Sequence, residues 1–143
     1  MTTSAAVNDA RTALEEVGEI VRVALAKLAP AEDAEARQAL LYDLAHAASG
    51  LRIAESFLSY AEHGEDEARL VGLFACEVMG QVAAASFGAE ERWGMEPSAM
   101  ARARAHVAAS GRPDDFAAAA LVPGAAHLDD QYSLVAETFR RFG

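Results

Sequence analysis

Cysteine is almost missing from this chain: Cys76 stands alone among 143 residues. No intrachain disulfide can form, and nothing points to an oxidising compartment. Basic residues are scarce as well, 12 lysines and arginines against 22 aspartates and glutamates, which leaves a formal net charge of −10. That balance argues against nucleic acid or an anionic membrane surface as partner, since both require a cationic face. The opening MTTSAAVNDARTALEE lacks the basic start and continuous apolar run of a signal peptide. No stretch reads as apolar enough over a bilayer's thickness to span one. From these absences the expectation is a cytoplasmic protein with neither nucleic acid nor membrane among its partners.

What the sequence does contain is alanine and other apolar residues, 52% apolar in all, over a length suited to one compact domain. Alanine loses no side-chain entropy in a helix, so the fold class expected is all-α, an antiparallel bundle of about four main helices followed by short C-terminal helices. Helix one has the cleanest pattern: Val7, Ala10, Leu14, Val17, Val21, Leu25 and Leu28 fall at three-four spacing, with charged residues on the other faces, and Pro30 ends it. Helix two, from about residue 31 to 63, is apolar over most of its circumference. Leu40, Leu41, Leu44, Ala48, Leu51 and Leu58 lie on one side and Gly50, Ala54, Phe57 and Ala61 on another. Such a helix predicts packing against several neighbours and a central position. Gly64 fits a left-handed residue past its end, and Asp66 a cap for the next helix.

The third helix reads VGLFACEVMGQVAAASFG over residues 71–88, with small residues at every fourth position: Gly72, Cys76, Gly80, Ala84 and Gly88. Helical glycine costs about 0.5–1 kcal/mol relative to alanine, so the row calls for compensation. Close packing of another helix along Gly72, Cys76, Gly80 and Ala84 supplies it. A phosphate-binding role fits poorly, because mid-helix amides are already bonded. Beyond Gly94 the elements shorten: a proline-led helix to Ser110, a break at Gly111, Arg112 and Pro113, and a short alanine-rich helix before Pro123. This divides the chain into a bundle over 1–111, a linker with a short helix over 112–127, and a terminal helix over 128–143. On that last helix Leu128, Tyr132, Val135 and Phe139 form one apolar stripe, a candidate interface with whatever follows or with a second copy.

Chemistry-bearing constellations are few. Asp43 and His46 lie three apart on one helix, half of what a carboxylate-bridged dimetal bundle needs, and no second such pair exists, so no metal site is assigned. Cys76 within a small-residue row reads as a buried hydrophobe rather than a nucleophile. His46, His63, His106 and His127 fall on separate elements with no shared spacing. Arg102 and Arg104, with Arg112, form the one local basic cluster, either solvated arginines or contacts for an anion. Residues two apart do not share a helix face.

LYDLAHAASGLRIAESFLSYAEHGEDEARLVGLFACEVMGQVAA resembles the carboxy-terminal helical bundle of acyl-CoA dehydrogenases, where a long helix, a short acidic turn and a second helix of the type AKLFASE occur in that order. Here YAEHGEDEA at 60–68 stands for the turn and LFACEV at 73–78 for the second helix; the match covers about residues 40–85. HLDDQYSLVAETFRRF at 127–142 is similar to the first helix of that family's amino-terminal domain. The resemblance implies an extra helical module placed before the catalytic body of a larger acyl-CoA dehydrogenase-like protein. The family's Gln-x-His-Gly-Gly word, which meets flavin adenine dinucleotide, is replaced here by SFGAEERWG at 86–94, and no residue matches the family's catalytic glutamate. No catalytic or cofactor residue is therefore carried over, and flavin is implied only for a parent or partner enzyme. The expected function is a noncatalytic packing or assembly module, partnered by a second copy or by an acyl-CoA dehydrogenase-like catalytic region. The alternative is a free-standing binder of a small ligand or acyl thioester, in a pocket between helices two and three with Arg102 or Arg104 near the phosphates.

Overall fold

The computed structural model of this chain describes residues 3–28, 34–96, 98–111 and 114. Apart from Asp114, the expected linker over 112–127 and the terminal helix with Leu128, Tyr132, Val135 and Phe139 lie outside the described residues, as do Pro30, expected to end helix one, and Pro97, expected to lead a helix. Every regular element among the described residues is helical, so the fold is all-α.

Helix α1 spans Thr3–Ala26, and its three-four pattern becomes one buried stripe of Ala10, Ala13, Leu14, Val17, Val21 and Ala24; Val7 and Leu28 are half-buried, and Leu25, expected on the stripe, is exposed because Ala24 takes the inward position there. Helix α2 spans Ala34–Phe57 and continues as a 3₁₀ helix over Leu58–His63, a tighter last stretch in place of the uniform helix expected to residue 63. Gly64 then takes φ 168° and ψ −177°. This is extended backbone open to any residue, not the left-handed conformation expected there. Helix α3 spans Glu65–Ser86 and has no side-chain cap, so Asp66 does not cap it. Asp66 instead shares the first turn with Glu65 and Glu67, where negative charge suits the helix dipole.

A four-residue helix α4, Glu90–Trp93, closes on left-handed Gly94. The Met95 amide donates to the Glu90 carbonyl and the Gly94 amide to that of Glu91, the paired bonds of a Schellman end. Glycine is favoured here by its left-handed φ of +65°; the Lys27 side chain, 2.7 Å from where a Cβ would stand, is flexible at its far end and can move aside. Trp93 is thereby buried in the core. Helix α5, Ala101–Ser110, follows Met100, a buried residue that also has positive φ. No residue of α5's own turn caps it; Glu16 of α1 does so instead, its Oε2 accepting the Ala103 amide at 2.9 Å.

Contacts fix the directions of the long elements. Phe57 meets Phe74 edge-on with ring centroids 5.7 Å apart, and a Cβ at Gly50 would lie 3.4 Å from Val78, so α2 and α3 run antiparallel. Met79 and Ala83 face the first half of α5, whereas Cys76 lies against Gly111 beyond its end, which makes α3 and α5 antiparallel too. Glu16 reaches the start of α5 while Asp9 faces its second half, giving the same relation between α1 and α5. Directions therefore alternate through α1, α2, α3 and α5.

Two expectations are corrected by this arrangement. Helix α2 is not central: Leu41, Tyr42 and Ile53 on it are 42%, 66% and 58% exposed, whereas α1 and α3 each pack against three of the longer elements. An apolar circumference shows what a helix can bury, and the neighbours decide what it does bury. The second correction is that α3 is long and apolar enough, by length and composition, to cross a membrane. Its alternation of valine, leucine and alanine is the composition of a core helix, and Val71, Ala75, Val78, Met79 and Val82 are buried among the other helices.

Candidate functional site

Among the described residues, the small-residue row on α3 is not covered as a continuous seam. Cys76 is buried, and a Cβ at Gly111 would approach its Cβ to 3.2 Å. Gly72 and Gly80 are different: among the described residues nothing lies within 4 Å of where a Cβ would stand, and Ala84 is exposed. Among the described residues, the close helix contact expected along Gly72, Cys76, Gly80 and Ala84 is thus made only near Cys76. The buried row of α3 is the neighbouring one, where larger side chains fill the interior.

Arg102 and Arg104 diverge, as residues two apart on a helix must. Arg104 edges a nearly apolar groove of about 220 Å³ between α3 and α5, lined also by Met79, Gly80, Met100 and Val107. Arg102 faces a larger cleft between α1 and α5. Neither reaches the groove between α2 and α3, where the alternative reading placed a ligand. That groove holds only about 70 Å³, and its polar lining is Tyr42, Asp43, His46 and Gln81. Within it the His46 ring leans on Tyr42, centroids 4.3 Å apart. Among the described residues no three His, Cys, Asp or Glu side chains converge as a metal-binding group.

The α1–α5 cleft has the most varied chemistry. Asp9 and Thr12 contribute from α1, and Arg102, His106 and Ser110 stand one turn apart along α5, around a space of about 390 Å³. His106 is 8% exposed, and its Nε2 has no hydrogen-bond partner among the described residues. Burial pushes the His106 pKa below the ordinary histidine value, against an opposing pull from the Asp9 carboxylate. Thr12 donates its hydroxyl hydrogen to the Asn8 carbonyl, leaving the oxygen's lone pairs toward other donors. Trp93 Nε1 is the second buried nitrogen without a partner among the described residues, and it sits in the apolar core.

Sequence reasoning found Arg102 and missed both Asp9 and His106. The signal available was the 102, 106, 110 spacing along one face of α5; what could not be read was that α1 would lay Asp9 and Thr12 across from it. No family model, curated protein or solved structure matches this chain.

Proposed function

We propose that this chain is a noncatalytic helical assembly module, the role implied by its resemblance to helical regions of acyl-CoA dehydrogenases, and that it assembles with a second copy through the outer face of α2. The observation that carries the reading is the exposure of Leu41, Tyr42 and Ile53 on that helix. Tyr42 and Ile53 lie three turns apart, and between them the exposed positions on the same face include the small Ala45 and Ser49. A two-fold axis crossing α2 near residues 47 and 48 sets Tyr42 of each copy beside Ile53 of the other, with small residues at the crossing where the backbones come closest. Such an arrangement is isologous and closed, the commonest form of oligomer. Burying large apolar side chains is its driving force, at about 25 cal/mol per Å² of apolar area removed from water.

Sedimentation velocity over a dilution series tests the proposal. The unaltered chain is expected to shift from dimer to monomer on dilution, and Ile53→Glu to remain monomeric at every concentration with an unchanged helical circular dichroism spectrum. A chain that is monomeric throughout, or an Ile53→Glu variant that still dimerises, contradicts it. Parentage in a flavin enzyme is the separable part of the proposal; it is tested by whether this chain co-purifies with an acyl-CoA dehydrogenase-like catalytic region supplied in trans.

A further inference from the structure

Burial on α3 divides into two sets. Among the described residues the buried apolar side chains form one core cluster with three exceptions, Ala68, Leu73 and Cys76, which are 5%, 6% and 3% exposed. All three fall between positions 68 and 76 of α3. Leu73 is the clearest case. It stands two positions from both Val71 and Ala75, about 160° round the helix from each, and so points away from the core that those two help to fill. Arg69, Leu70 and Glu77 around it are exposed. A leucine closed off on an outward face, among exposed neighbours, has a narrow cover of its own.

Helix α5 does not reach far enough to be that cover. Its first half faces Met79 and Ala83, and Gly111, beyond its end, lies against Cys76. Leu73 is three positions before Cys76 on α3, about 4.5 Å past the point where α5 stops. The chain leaves α5 at that same point. Asp114 is already helical again, and the sequence runs on as DDFAAAALV over 114–122. Phe116 is the first large apolar residue after Gly111, and five residues extend at most about 17 Å, which ties it to the neighbourhood of Cys76. On a helix continued from Asp114, Phe116 shares a face with Ala119 and Ala120, one bulky side chain beside two small ones. The site has the complementary shape: Leu73 stands up from α3, while Gly72 and Ala68 keep the surface low on the Cys76 side of it.

We propose that the segment beyond Gly111 docks on this second cluster of α3, with Phe116 seated against Leu73 and Cys76, and Ala119 and Ala120 over Gly72. Covalent attachment a few residues away holds this segment at high effective concentration beside the site, an advantage that a second copy lacks. Residues 112–122 then belong to the surface of the bundle rather than to a linker. The proposal does not depend on the outer face of α2.

Cys76, the sole thiol, reports on the cover, and Trp93, the sole tryptophan, reports separately on the core in which it is buried. In the full 143-residue chain, alkylation of Cys76 by iodoacetamide is expected to be slow at every protein concentration. Phe116→Ala is expected to speed it by about tenfold or more with the Trp93 emission unchanged. Phe116→Leu, which restores a large apolar side chain, is expected to return most of the protection, and Tyr132→Ala, on the terminal stripe, to leave the rate as it is. The proposal is overturned by an unchanged rate in Phe116→Ala, by an equal acceleration in Tyr132→Ala, or by protection that is lost when the unaltered chain is diluted, which would assign the cover to a second copy. A red shift of Trp93 emission in Phe116→Ala also overturns it, because Phe116 would then belong to the main core.

Discussion

Helices α1 and α2 are both 24 residues long and both rich in apolar residues, yet they use them in opposite ways. On α1 the apolar residues form one stripe, and the stripe is buried from Ala10 to Ala24. On α2 they spread further: Leu44, Ala47, Leu51 and Ala54 are buried, while Tyr42 and Ile53 face outward together and Leu41 is exposed about 100° round the helix from them. A single stripe has one way to be satisfied, so its sequence pattern and its burial coincide through the middle of the helix, from Ala10 to Val21, and part at Leu25, which is exposed. A wider spread needs a second neighbour, and within the described residues the outward side of α2 has none. Leu25, near the end of α1, is 43% exposed, but α2 carries three large exposed apolar side chains, and the difference teaches that the element with the larger apolar surplus is where association should be sought.

The contrast is broken or sharpened most strongly by truncating each helix's covered side. Leu14→Ala on α1 and Leu44→Ala on α2 both open cavities in the interior and are each expected to cost about 2–5 kcal/mol in urea denaturation. Ile53→Ala, on the outward side of α2, is expected to change monomer stability by no more than about 0.5 kcal/mol. A cost at Ile53 comparable with that at Leu44 would erase the distinction between the two sides.

Glycines divide in the same way, with a smaller effect. Gly94→Ala places a Cβ on a left-handed residue, so a loss of about 1–2 kcal/mol is expected, with the flexible Lys27 side chain moving aside. Gly80→Ala fills open space on a helix and is expected to gain about 0.5–1 kcal/mol from helix propensity. Thermal or urea unfolding of the two variants measures both; a loss at Gly80 would mean that its face is covered as closely as the sequence pattern suggested.

The smallest effect expected is a pH dependence from the covered side of α5. Because burial lowers the His106 pKa in the fold, the unfolded chain takes up a proton first as pH falls. The stability that comes from keeping this imidazole neutral is present above the ordinary value of about 6.5 and is lost as pH drops below it toward the folded value. Urea midpoints at about pH 7.5 and about pH 5.5 should therefore differ less in His106→Gln than in the unaltered chain. An equal difference in both would remove His106 from the pH response.

Local features were legible in the sequence where one physical cause dominated. The stripe of α1, the helical fold class and the left-right divergence of Arg102 and Arg104 all follow from helix periodicity alone. The conformation of Gly64 was misread because composition at a helix end does not distinguish an extended residue from a left-handed one, and Glu67 and the 3₁₀ turn before it shape that junction. The row of Gly72 and Gly80 was read as a seam because spacing records which residues share a face, not whether another helix lies over it. Asp9 and His106 are 97 positions apart in sequence terms and meet only because α5 folds back along α1. The Glu16 cap on α5 was invisible for the same reason: a cap supplied by another helix leaves no local signature.

The central claim, that α2's outward side is where two copies meet, is tested most directly by a disulfide at the crossing. Ser49 is exposed, its hydroxyl bonded only to the Ala45 carbonyl of its own helix, and it lies within half a turn of the proposed axis. In a Cys76→Ala background, Ser49→Cys provides the sole thiol, and a disulfide forms readily only when the two Cα atoms come within about 7 Å. Under mild oxidation the account expects Ser49→Cys to yield a covalent dimer at concentrations where Ala101→Cys, exposed on α5, stays monomeric. Equal cross-linking by the two variants, or none by Ser49→Cys while the chain sediments as a dimer, would contradict it.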